Sequence, residues 1–265
     1  MRVVLLGKGG SGKSTLAGLL CAEIRSRDGA VVAFDADTVP GLGEVLGMPA
    51  TDDWMLAGSA VRDAGGWRLE GSAADVVDRC AREAPGGVRF VQVGNADSAT
   101  KDFELYRARY PDRWSAAVAF NTVARIYDEE DGWAVVDLQG GTLHVASGMV
   151  GTDGVALLVV EPFAKSVLTA RRMAGMGTWP PGVRLAGVAN KVDSADDEAY
   201  VRDALEDLGV PMWASVPLDP AIKRAERAGV PLVAGDPSSP ARRAVARLVD
   251  QLEQAGAPAE AVRGA

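Results

Sequence analysis

The chain has 265 residues, of which 48% are hydrophobic, and it carries 28 Lys and Arg against 36 Asp and Glu. This length and composition allow a substantial core, and a single domain over residues 1–265 is predicted. The net charge of −8 disfavours nucleic acid as a partner, because nonspecific binding needs a basic face. No apolar run approaches the roughly 18 to 20 residues of a membrane span, so a cytoplasmic protein without membrane binding is predicted.

Short apolar segments alternate with amphipathic segments along the chain. The apolar segments are rich in Val, Leu and Ala, which is typical of strands buried on both faces of a parallel sheet. Strands are predicted at residues 2–6, 31–34, 88–93, 133–136, 155–160, 185–189 and 212–216, and helices at 13–27, 73–83, 164–176, 196–208, 220–228 and 241–254.

This alternation predicts an α/β fold with a doubly wound, mainly parallel sheet flanked by helices. In such a fold the ligand crevice lies at the carboxyl ends of the strands. Residues 48–132 are predicted to be a variable, insert-like region, and residues 255–265 a frayed tail.

A glycine-rich segment, GKGGSGKST at residues 7–15, follows the first predicted strand. It satisfies the phosphate-loop pattern G-x-x-x-x-G-K-[ST], in which backbone N–H groups surround phosphate oxygens. In this pattern Lys13 reaches the β- and γ-phosphates and the Ser14 hydroxyl binds Mg²⁺, while the N-terminus of the next helix attracts the anion. The predicted nucleotide-binding residues of the loop are Gly9, Gly10, Ser11, Gly12, Lys13, Ser14 and Thr15.

Acidic residues lie at the carboxyl ends of two of the predicted strands. Asp35 and Asp37 stand two apart after residues 31–34, and both can face the crevice if the strand stays extended. Asp137 follows the apolar residues 133–136, where a carboxylate can hold a Mg²⁺-bound water.

Asn190, Lys191 and Asp193 match the pattern N-K-x-D after another predicted strand. In this pattern the asparagine and lysine shape a base pocket, and the aspartate accepts hydrogen bonds from guanine. Asp193 can equally cap the helix that follows it. GTP therefore stays open as an alternative to ATP.

Lys8 extends the loop to K-G-G-x-G-K-[ST]. With it the chain resembles the deviant-Walker, or SIMIBI-class, P-loop ATPases, which include the division-site and partitioning ATPases. The branch that it resembles most is the nickel-insertion ATPase of carbon monoxide dehydrogenase. The resemblance implies that Lys8 crosses a two-fold interface to the nucleotide of the other subunit and stabilises the transferring phosphoryl group.

The resemblance covers residues 1–47 and 133–232 and implies further roles. Asp37 is expected to orient the attacking water, and Asp35 to lie near the Mg²⁺ that Ser14 binds. The turn V-P-L-D-P is expected beside the base. The base-side residues are then Asn190, Lys191, Pro217 and Asp219.

The chain lacks the C-x-C pair with which the nickel-insertion branch binds metal. Its cysteines, Cys21 and Cys80, are separate and are predicted to be packing residues. Soft thiolate ligation of nickel between two subunits is therefore not expected from these residues.

Taken with the resemblance, the motifs predict a Mg²⁺-dependent, ATP-hydrolysing homodimer that switches the maturation or assembly of a partner protein. Its catalytic residues would be Lys8, Lys13 and Asp37, and its metal residues Ser14, Asp35 and Asp137. Two alternatives stay open. One is a P-loop kinase or synthetase that phosphorylates a small molecule held by residues 48–132, and the other is a partitioning or positioning ATPase.

Overall fold

The computed structural model describes residues 1–37, 39–49, 59–63, 66–92, 132–146, 148–176, 179–232, 235–236 and 238–256. The strands are β1 (Arg2–Gly7), β2 (Val31–Ala36), β3 (Ala60–Asp63), β4 (Gly66–Leu69), β5 (Arg82–Ala84), β6 (Val88–Gln92), β7 (Trp133–Leu138), β8 (Asp153–Val160), β9 (Gly182–Val192) and β10 (Met212–Pro217). The helices are α1 (Lys13–Ser26), α2 (Leu42–Val45), α3 (Ala73–Cys80), α4 (Leu143–Ala146), α5 (Ala164–Ala174), α6 (Ala195–Glu206), α7 (Pro220–Ala228) and α8 (Pro240–Gly256).

Eight of these strands form one sheet in the order β10-β9-β8-β1-β7-β2-β6-β5, while β3 and β4 pair separately. Neighbours in the large sheet are parallel except β5, which is antiparallel to β6. The strands that follow β1 lie on both sides of it, so the sheet is doubly wound and its crevice lies near the carboxyl end of β1. The predicted fold class is confirmed.

The central strand β1 is buried on both faces, as its continuous apolar run predicts. Val3 and Leu5 pack with residues of α1 and α8 in one layer. Val4 and Leu6 pack with residues of α3, α5 and α6 in the other layer. Two helical layers therefore hold the sheet from either side and leave its carboxyl edge free to carry a site.

The prediction of a helix over residues 73–83 was wrong for its last three residues. Helix α3 starts at Ala73, as predicted, behind a capping box of Ser72 and Asp75, but it ends at Cys80. Gly86 and Gly87 have φ angles of 83° and 76°, the backbone conformation of a tight hairpin turn. This turn returns the chain to β6, so residues 82–84 form the strand β5 instead.

The end of the described chain also differs from the prediction. Helix α8 continues through residues 255 and 256, where a frayed tail was expected to begin, while residues 257–265 lie outside the described ranges. The strand predicted at residues 88–93 is described as far as Gln92. Within the described residues, no helix is both long enough and apolar enough to cross a membrane.

Candidate nucleotide-binding site

The loop between β1 and α1 has the backbone that its glycines predict. Gly10 and Gly12 adopt left-handed φ angles of 82° and 89°, which other residues adopt only with strain. A Cβ atom on Gly12 would also lie 2.5 Å from Nδ2 of Asn190. Helix α1 starts without a side-chain cap, so the N–H groups of its first turn can serve an anion.

The two lysines of this loop differ in burial. Lys13 is 6% exposed, and its charge lowers the pKa of Asp137, which places its ammonium near the carboxyl end of β7. The Lys8 side chain is 37% exposed and donates a hydrogen bond to the Gly9 carbonyl at 2.9 Å. Lys13 therefore lies within the site of its own chain, while Lys8 lies at the surface.

Asp35 and Asp137 lie beside each other on the parallel strands β2 and β7, and both are fully buried. Burial, reinforced by the charge of Asp137, raises the pKa of Asp35 to about 7. Burial also raises the pKa of Asp137 to about 6, and the Ser14 hydroxyl and the Lys13 ammonium oppose this shift. The apposition makes two adjacent carboxylates costly to ionise unless a cation joins them.

Asp35 anchors the segment that follows β2. Its Oδ1 accepts a hydrogen bond from the N–H of Asp37 at 3.2 Å, and its Oδ2 accepts from Gly41 at 3.0 Å and from Leu42 at 2.9 Å. Sequence patterns alone did not reveal this anchoring role. The metal role expected of Asp35 stays a prediction.

Asp137 has the opposite surroundings. Among the described residues, no donor makes a hydrogen bond of ordinary geometry with either of its carboxylate oxygens. Ser14 and Lys13 nevertheless lie close enough to lower its pKa. A buried carboxylate with unoccupied oxygens beside a hydroxyl suits a hard cation that prefers oxygen ligands, so Ser14 and Asp137 fit Mg²⁺.

Asp37 lies in the same part of the crevice as His144. Its Oδ1 accepts a hydrogen bond from the Val39 N–H at 2.9 Å, which forms a short turn. Burial lowers the pKa of His144, and the charge of Asp37 opposes that shift. The ring nitrogen Nε2 of His144 lies 2.9 Å from Oε1 of Gln139. The structure thus brings the predicted water-orienting acid close to the end of β7.

The glycines after β7 pack against the phosphate loop. A Cβ atom on Gly140 would lie 2.7 Å from the backbone nitrogen of Gly9, so only glycine fits there. The N–H of Gly141 donates to the Gly7 carbonyl at 3.1 Å. The phosphate loop and the segment after β7 are therefore in direct backbone contact.

A cavity of about 290 Å³ adjoins the loop on the side of β10. Asn190 donates from its side-chain amide to the Ser11 carbonyl at 2.7 Å, and Lys191 donates from its ammonium to the Gly10 carbonyl at 2.6 Å. The structure brings the predicted base-side residues together around this cavity with two residues of the loop: Gly12, Thr15, Asn190, Lys191, Pro217 and Asp219.

Two aspartates near this cavity have separate surroundings. Asp219 caps α7 by accepting a hydrogen bond from Ala221 at 2.9 Å, and it also accepts one from Ala241 at 3.4 Å. Asp193 lines a different cavity, which it shares with Arg243. It is therefore not grouped with the residues that surround the phosphate loop.

Two further contacts with the site were not predicted. Helix α7 contributes Ile222, Lys223 and Glu226 to the cavity wall, and Glu226 accepts a hydrogen bond from the Thr15 hydroxyl at 2.8 Å. Glu161, the first residue after β8, lies 3.0 Å from the Lys191 ammonium. The amphipathic pattern of residues 220–228 predicted the helix α7 but not the face that meets the site.

Fold and site together define the class of protein. Residues 3–232 match the sequence model of the CobQ/CobB/MinD/ParA nucleotide-binding domain, and the chain belongs to this family. With Lys8 in its phosphate loop, it is a deviant-Walker P-loop ATPase, as the sequence predicted. ATP hydrolysis is the activity of this family.

The chain is also similar to individual members of this class. The chain is 25% identical over 244 residues to the carbon monoxide dehydrogenase accessory protein CooC of Rhodospirillum rubrum. This alignment covers 87% of this chain and 88% of that protein. It is 24% identical over 272 residues to an iron-sulfur cluster carrier protein of Saccharolobus solfataricus, and this alignment covers 94% of this chain and 81% of that protein. The septum site-determining protein MinD of Pyrococcus horikoshii, complexed with Mg-ADP, matches with a TM-score of 0.67 and 20% identity over 96% of this chain and 97% of that one, which shows the same fold.

Proposed function

We propose that this chain is a homodimeric, Mg²⁺-dependent ATP switch that drives the maturation or assembly of a partner protein. The observation that carries the proposal is the contrast between the two lysines of the phosphate loop. Lys13 is buried within the site, whereas the Lys8 side chain is 37% exposed at its edge. A loop lysine at the surface is available to a nucleotide bound by a second subunit.

Exposed apolar side chains support association through the same edge of the sheet. Val39 is 74% exposed, Phe163 is 63% exposed and Leu218 is 47% exposed. They follow the carboxyl ends of β2, β8 and β10, which is the edge that carries the phosphate loop. Apolar groups that rim a polar crevice are typical of protein interfaces.

In the proposed hydrolysis, water attacks the γ-phosphate in line with the leaving oxygen. The Asp37 carboxylate accepts a hydrogen bond from this water and so orients its oxygen toward phosphorus. Lys13 and the Lys8 of the second subunit stabilise the charge that develops on the phosphoryl oxygens. Ser14 and Asp137, with Asp35 adjacent, would hold Mg²⁺, which neutralises charge on the β- and γ-phosphates when bound.

Two segments could report the state of the nucleotide. Asp35 ties residues 37–42 to the end of β2, and the Gly140 backbone lies against Gly9. Both segments adjoin the place expected for the γ-phosphate. Loss of that group on hydrolysis would remove their shared contact and shift both segments, as in other nucleotide switches.

The position of Asp193 supports ATP over GTP. A guanine-reading aspartate must reach the base, and the base is expected in the cavity that Asn190 and Lys191 line. Asp193 lines the neighbouring cavity, which meets this one at Pro217, and is not among the residues that line the cavity beside the phosphate loop. The relatives support the proposed biological role, since one is an accessory protein of an enzyme and another is a cluster carrier.

Sedimentation of the purified chain with a non-hydrolysable ATP analogue or with ADP tests the proposal. We expect a dimer with the analogue and a monomer with ADP, because only the triphosphate offers Lys8 a γ-phosphate. Lys8→Ala removes one charge-assisted hydrogen bond from each subunit, two per dimer, and should weaken association with the analogue about 100-fold or more. Arg202→Ala, which removes a surface cation of α6, should leave association unchanged.

The sedimentation experiment can also favour the kinase or synthetase alternative. A chain that stays monomeric with the analogue, and that as Lys8→Ala still phosphorylates a small molecule at the full rate, would establish the kinase or synthetase alternative. Assays with candidate carboxylate, amine and alcohol acceptors provide this comparison.

A further inference from the structure

Glu161 is the first residue after β8, and it is only 6% exposed. Strand β8 pairs in parallel with β1, with Val159 beside Gly7, so the chain after β8 passes next to the phosphate loop. Burying a carboxylate is costly unless cations or hydrogen-bond donors compensate it. The partners of Glu161 therefore indicate what this acid does.

The Glu161 carboxylate lies between two ammonium groups. Its Oε1 is 3.0 Å from Nζ of Lys191, and its Oε2 is 3.6 Å from Nζ of Lys8. Each lysine also donates to a carbonyl of the phosphate loop, Lys191 to Gly10 and Lys8 to Gly9. One carboxylate thus joins the base-side lysine to the surface lysine.

The two contacts are unequal. Lys191 is held by two hydrogen bonds, at 3.0 Å to Glu161 and 2.6 Å to the Gly10 carbonyl. Lys8 lies 3.6 Å from the carboxylate, beyond hydrogen-bond distance, and partly exposed ion pairs contribute little stability. Lys8 can therefore leave while Lys191 continues to compensate the buried charge.

We propose that Glu161 is a positioning residue that holds Lys8 on its own subunit and competes for this lysine with the nucleotide of the second subunit. The inference rests on the proposed function, since it requires that Lys8 acts across the dimer. With ADP, Lys8 stays with Glu161. With ATP, the γ-phosphate of the second subunit is the stronger acceptor, and Lys8 transfers to it. Glu161 thereby opposes association until both subunits hold ATP.

Glu161→Gln tests the competition, because glutamine keeps the shape and can still accept from Lys191 but has no charge to retain Lys8. We expect association with the ATP analogue to become about 4- to 25-fold tighter in sedimentation experiments. Each exposed ion pair corresponds to roughly two- to fivefold in an equilibrium constant, and two must break per dimer.

A double-mutant cycle shows whether the effect passes through Lys8. In the Lys8→Ala background, Glu161→Gln should leave association with the analogue unchanged, since no lysine remains to be released. A merely structural role of Glu161 would change association equally in both backgrounds. Glu198→Gln, which removes an acid of α6, is the matched control and should change neither background.

The outcomes separate the two proposals. If Lys8→Ala leaves association unchanged, the proposed function fails. If Lys8→Ala weakens association but Glu161→Gln fails to strengthen it, or strengthens it equally without Lys8, only the role of Glu161 is overturned. Should Glu161→Gln not fold, Glu161→Asp keeps the charge and shortens its reach to Lys8. It should tighten association in the same direction by a smaller factor, and an unchanged constant would overturn the inference.

Discussion

The proposed site has a phosphate side and a nucleoside side, and the two are built differently. The phosphate side consists of a glycine loop and the ends of β2 and β7, with Lys13, Asp35 and Asp137 all buried. The nucleoside side includes α7, a helix without a single buried residue that meets the cavity through side chains such as Lys223 and Glu226. Buried charge and constrained backbone tolerate little change, whereas exposed side chains can adjust.

The difference indicates a division of labour. The phosphate side is organised before the ligand arrives, because the backbone N–H groups and the anchored Asp35 carboxylate already have their positions. The nucleoside side can adapt to the base and ribose without disturbing the sheet. Equivalent substitutions on the two sides should therefore have unequal effects, which the following experiments measure.

The largest effect is expected from Lys13→Ala. The variant loses a cation that is buried in the loop proposed to hold the phosphates, so ATP turnover should fall by about 10³-fold or more. Lys223→Ala removes the same charge from α7 and should change turnover by less than about fivefold, since an exposed charge contributes little. Steady-state phosphate release measures both, and equal losses would contradict the division between the two sides.

Asp37→Asn should retain ATP binding and lose turnover by about 10²-fold or more, the usual contribution of an acid–base group. Asparagine can still accept the hydrogen bond from Val39, so the local turn is kept. Single-turnover hydrolysis and nucleotide titration separate the two steps. Asp193→Asn is the control outside the site. Near-normal hydrolysis by Asp37→Asn would move the water-orienting role to another residue, with Gln139 the next to substitute.

Gly12→Ala tests the constrained backbone. The added Cβ would lie 2.5 Å from Asn190 at a left-handed φ of 89°, so we expect a loss of about 2–4 kcal/mol in unfolding free energy. Gly229 at the end of α7 has a similar φ of 61°, but a Cβ atom added there would meet no atom of the described residues within 4 Å, so Gly229→Ala should lose only about 1 kcal/mol. Urea unfolding of both variants gives the difference, and equal losses would show that packing against Asn190 is unimportant.

The smallest expected effect is a gain in unfolding free energy on substitution of Asp137. Burial raises the pKa of Asp137 to about 6, so the folded state loses stability as the pH rises from about 4, the ordinary pKa of an aspartate, to about 6, and the loss is complete above that value. Asp137→Asn should therefore stabilise the chain free of metal and nucleotide by about 1–3 kcal/mol near pH 8, and the gain should vanish near pH 4.

Asp219→Asn provides the comparison on the nucleoside side. Both Asp219 oxygens accept backbone hydrogen bonds, and the amide NH₂ of asparagine would face one of those N–H donors. The variant should lose about 1 kcal/mol at pH 8, where Asp137→Asn gains stability. Urea unfolding in EDTA at several pH values measures both variants. A destabilised Asp137→Asn at pH 8 would contradict the account of the unpartnered carboxylate.

Several parts of the site follow from local sequence. The glycine pattern of residues 7–15 predicted a loop that only glycines can form, and the left-handed angles of Gly10 and Gly12 have that form. The apolar segment of residues 2–6 predicted a buried central strand, because a parallel strand covered on both faces needs no polar alternation. The hairpin at Gly86 and Gly87 was not predicted, because the helix before it was predicted to continue to residue 83 and in fact ends at Cys80.

The sequence by itself predicted the phosphate loop, the positions of the main strands along the chain and the acids at their carboxyl ends. Each of these features depends on residues that are close together in the chain. Only the tertiary structure decided which distant groups meet. The sheet order places Asp137 beside Asp35, and β8 beside β1 brings Glu161 to Lys8. Such contacts depend on strand pairing and burial, which convert ordinary acids into a constrained site, and no local pattern of residues records them.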